Sequence, residues 1–313
     1  MKLAFIFPGQ GSQKVGMGLE IAGKFPCVRE IYDKADEVLG FSISKLIKEG
    51  PVEKLKQTVN TQPAVVVTSI AFLEVLREKG LDCEITAGHS VGEFTALYCA
   101  GVLSFEDCLK VTRARGEYMQ EAGIRHPGTM SAIIGLEVPA IEGICEKAGK
   151  SGVVVVANLN CPGQVVISGS IESVKEVGNI AIEQGAKKVI PLAVSAAFHS
   201  PLMDEAAGKL AQKLDEVKFL DARIPVVSNV SAEPVTNGEE IRDLMKKQIS
   251  SRVMWEKSIK KMQSLGIETF IEIGPGKALS GMMRRIDRKA PMLNLEDIKS
   301  YENLINKLNL TPV

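Results

Sequence analysis

The chain opens on an unbroken apolar run, Leu3-Ala4-Phe5-Ile6-Phe7, closed by Pro8-Gly9. So short a run between turn residues predicts a buried strand over Lys2 to Phe7. Helix-period patterns follow at Lys24 to Leu39 and at Pro63 to Lys79. The second has Asn60 or Thr61 as its cap, a proline in its first turn and Gly80 as its stop. Ile85 to Gly88 reads as a short strand feeding a helix that begins at Val91 and ends near Gly101. Ser104-x-x-Asp107 then has the spacing of a helix start. On the helix after it, Cys108, Val111, Thr112, Arg115 and Met119 fall on one face, and Lys110, Arg113 and Glu117 on the other. Arg115 is thereby predicted to turn inward, where a guanidinium needs an anionic partner from the protein or from a ligand.

From Thr129 the rhythm changes. Strand Thr129 to Leu136, helix Pro139 to Gly149, strands Val153 to Asn160 and Gln164 to Gly169, helix Ile171 to Gln184 and strand Lys187 to Val194 follow in turn. That β-α-β-β-α-β order is ferredoxin-like. With Pro127-Gly128 as a linker, residues 127–196 are expected to form a small domain inserted into a larger one, residues 1–126 and 197–313. The chain should return to the larger domain at Ser195-Ala196-Ala197-Phe198-His199-Ser200-Pro201. A helix to Val217, a strand Ile224 to Asn229, helices Glu239 to Ile249 and Met254 to Leu265, and a strand Phe270 to Ile273 lead to Gly274-Pro275-Gly276 and a last predicted helix. Strands alternating with helices predict an α/β fold with a parallel sheet in the larger domain.

Composition narrows the function classes. Lys plus Arg equals Asp plus Glu at 38 each, so no global field draws the chain to nucleic acid or to a membrane surface. The longest apolar runs, such as Val153 to Ala157, are strand-length, too short to span a bilayer. Six cysteines (27, 83, 99, 108, 145 and 161) contain no C-x-x-C pair, so neither zinc nor a redox dithiol is indicated, and scattered thiols suit a reducing cytoplasm. The loop Pro8-Gly9-Gln10-Gly11-Ser12-Gln13 is glycine-rich, but Lys14 breaks G-x-G-x-x-G and Met17 breaks the P-loop. Its N–H groups are therefore expected to serve something other than a nucleotide phosphate.

The chemistry centres on Gly88-His89-Ser90-Val91-Gly92, a G-x-S-x-G sequence between a strand and a helix. Such a turn lifts the serine hydroxyl out of the sheet and aims the helix N-terminus at it, which suits acyl transfer and makes the larger domain α/β-hydrolase-like. A serine nucleophile needs a base, and the chain has three histidines. His89 adjoins the serine on the turn and fits a structural or positioning role; His126 lies in the linker-like Arg125-His126-Pro127-Gly128. His199, at the domain junction, is the base of choice. A third group should orient its imidazole, and either a carboxylate or a backbone carbonyl would serve.

Phe7-Pro8-Gly9-Gln10-Gly11-Ser12-Gln13, Gly88-His89-Ser90-Val91-Gly92-Glu93, Arg115-Gly116, Phe198-His199 and Ile273-Gly274-Pro275-Gly276 occur in the order found in malonyl-CoA:acyl carrier protein transacylases. The chain resembles that family from Leu3 to about Asp287. The resemblance implies Ser90 as nucleophile and His199 as its base, with the backbone N–H groups of Gln10 and Val91 as oxyanion hole. It further implies Arg115 as clamp for the free malonyl carboxylate, the Gln248 backbone carbonyl as orienter of the histidine, and Asn160 as a substrate-side residue. Ping-pong transfer from malonyl-CoA through a malonyl-serine ester to the carrier's phosphopantetheine thiol would follow. CoA thioester and phosphopantetheine are then substrates, with no cofactor, and a cytoplasmic monomer is expected.

Phe198, beside the base, would fill the space an α-methyl branch needs and so disfavour methylmalonyl groups. An acidic carrier would dock on a basic surface, for which Arg284, Arg285, Arg288 and Lys289, or Lys187-Lys188, are candidates. The competing readings are a serine hydrolase using the same turn and a carrier-docking module with a dead site. Arg115 argues against the first, and the joint retention of Ser90, His199 and Arg115 against the second.

Overall fold

The first strand sits at the middle of the larger sheet, as expected of a run with no polar position. The structure is a computed structural model that describes residues 2–149, 152–194 and 196–310, so Ser195 in the return segment lies outside the described residues. Ten strands are assigned there: β1 Leu3–Phe7, β2 Ile85–Gly88, β3 Gly128–Ile134, β4 Val154–Cys161, β5 Gln164–Ser170, β6 Lys188–Pro191, β7 Val226–Val227, β8 Pro234–Val235, β9 Thr269–Ile273 and β10 Met292–Leu295. The larger sheet has the order β10-β9-β1-β2-β7-β8, parallel except for β8 against β7. β1 shows why it must be apolar throughout: Leu3, Phe5 and Phe7 enter the core on one face, while Ala4 and Ile6 pack with Trp255 and Phe270 on the other.

The second sheet, β4-β5-β3-β6, is antiparallel throughout and is covered on one face by the helices Val138–Ala148 and Ile171–Glu183. This is the ferredoxin-like arrangement, inserted between the helix Phe105–Arg125 and the return segment. Ile133, Val165 and Ile167 pack under its helices, whereas Met130, Ala132 and Val166 face the main core. The two sheets are tied through Val253, whose N–H donates to Ala157 O at 2.8 Å and whose carbonyl accepts from Leu159 N–H at 2.9 Å. A cleft forms where they meet.

Several elements differ from the sequence pattern. The helix expected over Lys24 to Leu39 starts at Pro26, which holds Phe25 extended (φ −115°, ψ 112°), and a separate helix, Leu19–Lys24, precedes it. The helix expected from Pro63 begins at Thr58, with Pro63 inside it. The proline cannot donate to Val59 O four residues back, and Arg113 Nη1 fills that place at 3.1 Å. This helix, Thr58–Arg77, is long and apolar enough by composition to cross a bilayer, contrary to the expectation of strand-length runs only. It is a core helix, buried at every position except Glu74 and Arg77. The strand expected over Ile224 to Asn229 pairs only at Val226–Val227, because the chain turns at Ser228, whose carbonyl accepts from Ala232 N–H. The short helices Ile43–Glu49 and Val52–Leu55, strand β10 and the helix Ile298–Lys307 had no assignment from sequence. Ser104 does cap the helix Phe105–Arg125, accepting from Asp107 N–H.

The helix Gly92–Cys99 lies so close to the sheet that a Cβ on Gly92 would stand 2.3 Å from Phe7 O. Gly92→Ala should therefore destabilise the fold by about 1–3 kcal/mol, the usual cost of overpacking. Urea unfolding measures this, and an unchanged midpoint would show that the approach is not needed.

Candidate active site

The chain from β2 to the helix Gly92–Cys99 must reverse within three residues, and Ser90 absorbs the turn with φ +52°. A non-glycine residue there is strained by about 1–3 kcal/mol and persists only where its surroundings hold it. The flanking glycines serve close approach, since a Cβ on Gly88 would lie 1.9 Å from Gly92 backbone atoms. Both polar groups of the Ser90 backbone are bound by distant side chains. Its N–H donates to Asn229 Oδ1 at 2.7 Å, and its carbonyl accepts from Gln248 Nε2 at 2.8 Å. The hydroxyl stands at the floor of the cleft, which measures about 440 Å³.

His199 enters from the return segment with its own left-handed backbone, φ +56°, and Nε2 lies 2.7 Å from Ser90 Oγ. Nδ1 faces two backbone carbonyls, Gln248 O and Ser251 O, each at 3.0 Å. Two acceptors there assign the proton to Nδ1 and leave Nε2 free to accept from the serine. Burial first, and the Arg115 charge second, push the imidazole down to about 3. A neutral ring is a base, and this one is held by carbonyls, the second of the two kinds of orienter open from sequence.

Arg115 is buried, as its helical face requires, and its long side chain ends beside the hydroxyl. Nη2 donates to Ser90 Oγ at 3.2 Å and to Gln248 Oε1 at 3.0 Å, and Nη1 donates to Gln62 Oε1 at 2.7 Å. Nε has no partner, and among the described residues no carboxylate comes within ion-pair distance of the guanidinium. Burial lowers its pKa to about 9, so it remains cationic at neutral pH. The nearest anion source is Glu93, beneath the turn, whose carboxyl burial raises to about 7 against the hydrogen bonds of Gln248 and Asn229.

Gln10 lines the cleft, and Val91 starts the helix with its side chain in the core; among the described residues neither N–H meets an acceptor. Asn160 Oδ1 and His89 Nε2 are 2.9 Å apart, joining the smaller sheet to the serine turn, with His89 also edge-on to Trp255. Phe198 is buried and lines the cleft beside His199. His126 ends the helix Phe105–Arg125 and is exposed, outside the cleft lining. Arg284, Arg285, Arg288, Lys289, Lys187 and Lys188 are all exposed. Arg285 donates to Pro162 O, and Lys187 packs over Gly135, so the two basic runs flank the turn where Gly135 N–H meets Gly163 O. Glu93, Asn229, Gln62 and Ser251 were not singled out from sequence; only Glu93 carried a signal, as the last residue of Gly88-His89-Ser90-Val91-Gly92-Glu93.

A family model described as acyl transferase domain matches residues 4–302. The malonyl CoA-acyl carrier protein transacylase of Bacillus subtilis is 46% identical over 308 residues, covering 98% of this chain and 97% of that protein. The transacylase of the same description from Escherichia coli K12 is 43% identical over 286 residues, covering 91% and 93%. Among solved structures, an acyl carrier protein S-malonyltransferase from Vibrio cholerae superposes with TM-score 0.94 at 41% identity, covering 97% of this chain and all of that one. A malonyl-transacylase in complex with its type II PKS acyl-carrier protein gives TM-score 0.96 at 37% identity, covering 98% and 100%. The chain belongs to the acyl transferases and, among them, to the malonyl CoA-acyl carrier protein transacylase family, as its five motifs implied.

The state of His199 is directly checkable. With its pKa depressed well below 6.5, its ring resonances should not titrate in NMR spectra between about pH 8 and pH 5. A midpoint near 6.5 would mean that the cleft neither desolvates the ring nor exposes it to the Arg115 charge.

Proposed function

We propose that the chain moves a malonyl group from malonyl-CoA to the phosphopantetheine thiol of an acyl carrier protein, through an ester on Ser90. The observation that carries this reading is a single contact: the buried, carboxylate-free Arg115 reaches the same Ser90 Oγ that His199 approaches. An acyl group attached at that oxygen would have a cation within a few bonds' reach, which suits a short acid with a free carboxylate. A neutral acyl group would leave the charge unanswered.

In the first half-reaction His199 Nε2 takes the Ser90 hydroxyl proton as Oγ bonds the thioester carbon. The tetrahedral intermediate carries its negative charge on the former carbonyl oxygen, where the N–H groups of Gln10 and Val91 would receive it. Collapse breaks the C–S bond, and the CoA sulfur leaves with the proton from His199. The second half-reaction runs the same steps in reverse with the carrier's thiol as nucleophile and Ser90 as leaving group. Atoms and protons balance without a cofactor.

Arg115 has a second part in this scheme. Its charge opposes protonation of His199 in the free protein. A malonyl carboxylate paired with the guanidinium would cancel that opposition, so the substrate would both fill the site and ease proton transfer to the base. Scattered cysteines without a C-x-x-C pair support a cytoplasmic enzyme, and a monomer suffices because every group invoked lies on one chain.

Arg115→Ala separates this from a general serine hydrolase. The loss of kcat/KM with malonyl-CoA should reach about 2–5 kcal/mol of transition-state stabilisation, the range for a buried charge pair losing one partner. Acetyl-CoA, without a carboxylate, should lose far less. Equal losses with both thioesters, or acyl groups passing to water as fast without carrier as with it, would remove the reading.

A further inference from the structure

Glu93 lies one helical turn beyond Ser90, is 2% exposed, and takes no part in the reaction scheme above. Its contacts converge on the residues that do. Its N–H donates to the Ser90 carbonyl at 3.1 Å. Its Oε1 accepts from the Asn229 N–H at 3.2 Å, and its Oε2 accepts from Gln248 Nε2 at 2.8 Å. These are the two residues whose side chains hold the strained Ser90 peptide. Asn229 bridges the turn, accepting from Ser90 N–H and donating to Gly88 O at 2.7 Å.

The polarity of the network runs one way only. Gln248 spends both Nε2 protons on acceptors, Ser90 O and Glu93 Oε2, and therefore presents Oε1 to Arg115 Nη2. Turning that amide over would set a donor against the guanidinium and an acceptor against both the carboxylate and the Ser90 carbonyl. The two groups hydrogen-bonded to the Glu93 carboxylate are both donors, so the carboxylate is the one chemistry that suits the place.

We propose that Glu93 is a positioning residue that holds Ser90 in its strained turn through both Asn229 and Gln248 and aims Arg115 at the acyl carboxylate through the amide of Gln248. The second half rests on the reading of Arg115 given above. Glu93→Gln preserves size but not polarity. Its Oε1 must accept from Asn229 N–H, which sets its own NH2 against that of Gln248 and drives the Gln248 amide over. Both Ser90 and Arg115 then lose a partner.

The experiment uses folded Glu93→Gln, confirmed by a thermal transition above the assay temperature, at about pH 8. Two readouts are taken: the rate at which a neutral fluorophosphonate labels Ser90, and the ratio of kcat/KM for malonyl-CoA over acetyl-CoA. Labelling should fall by roughly tenfold or more, the scale of one lost buried hydrogen bond to a charged group, and the ratio should fall toward that of Arg115→Ala. Labelling within twofold of the parent protein would overturn the proposal. So would reduced labelling with an unchanged ratio, provided Arg115→Ala does change it. If Arg115→Ala leaves the ratio alone, it is the carboxylate reading that fails, and labelling still decides the hold on Ser90. Should Glu93→Gln not fold, Glu93→Asp, which draws the carboxylate back by one methylene from Asn229 N–H and Gln248 Nε2, tests the same contacts: labelling and the ratio should both fall, and undiminished labelling would overturn the proposal.

Discussion

The structure depends on one strained peptide, Ser90, held at φ +52° between the end of β2 and the helix Gly92–Cys99. Relaxing it would lower the local energy and withdraw the hydroxyl from the cleft. A hydrogen bond to Asn229, another from Gln248, and glycines that let the helix press onto Phe7 and Gly88 keep it in place. Nearly everything else can be understood as support for that geometry. The apolar β1 anchors the sheet beneath it, and the smaller sheet closes the cleft from above through Met130, Ala132 and Val166.

Charge is the second organising constraint. Among the described residues, Arg115 and His199 share a buried site with a single carboxyl, Glu93, that reaches neither directly by hydrogen bond. Desolvation keeps His199 neutral and leaves Arg115 short of a counter-ion. The amides of Gln62 and Gln248 satisfy its nitrogens only in part. On the function proposed above, such a site would store electrostatic cost in the free protein and release it when an anionic acyl group arrives, coupling selectivity to proton transfer.

Much of this was legible in the sequence, for identifiable reasons. Continuous apolarity marked β1, two-fold and helical periods marked the ferredoxin-like insert, and the apolar face of Cys108 to Met119 placed Arg115 inward. Motif order carried the family. What failed was long-range. The start of the helix at Thr58 depends on Arg113 supplying the hydrogen bond that Pro63 cannot, across 54 residues. Asn229 and Gln248 meet Ser90 across 139 and 158 residues, and no local pattern announces a side chain that serves a remote backbone. The positive φ of Ser90 is likewise imposed by its surroundings.

The proposed function requires Ser90 to carry the acyl group between two thiols. Intact-mass measurement after brief mixing with malonyl-CoA, followed by a chase with phosphopantetheinylated carrier, tests this most directly. One malonyl adduct per chain, absent from Ser90→Ala and passed to the carrier on chase, is the predicted result. No adduct, an adduct that persists in Ser90→Ala, or one lost to water at the same rate with and without carrier would contradict it.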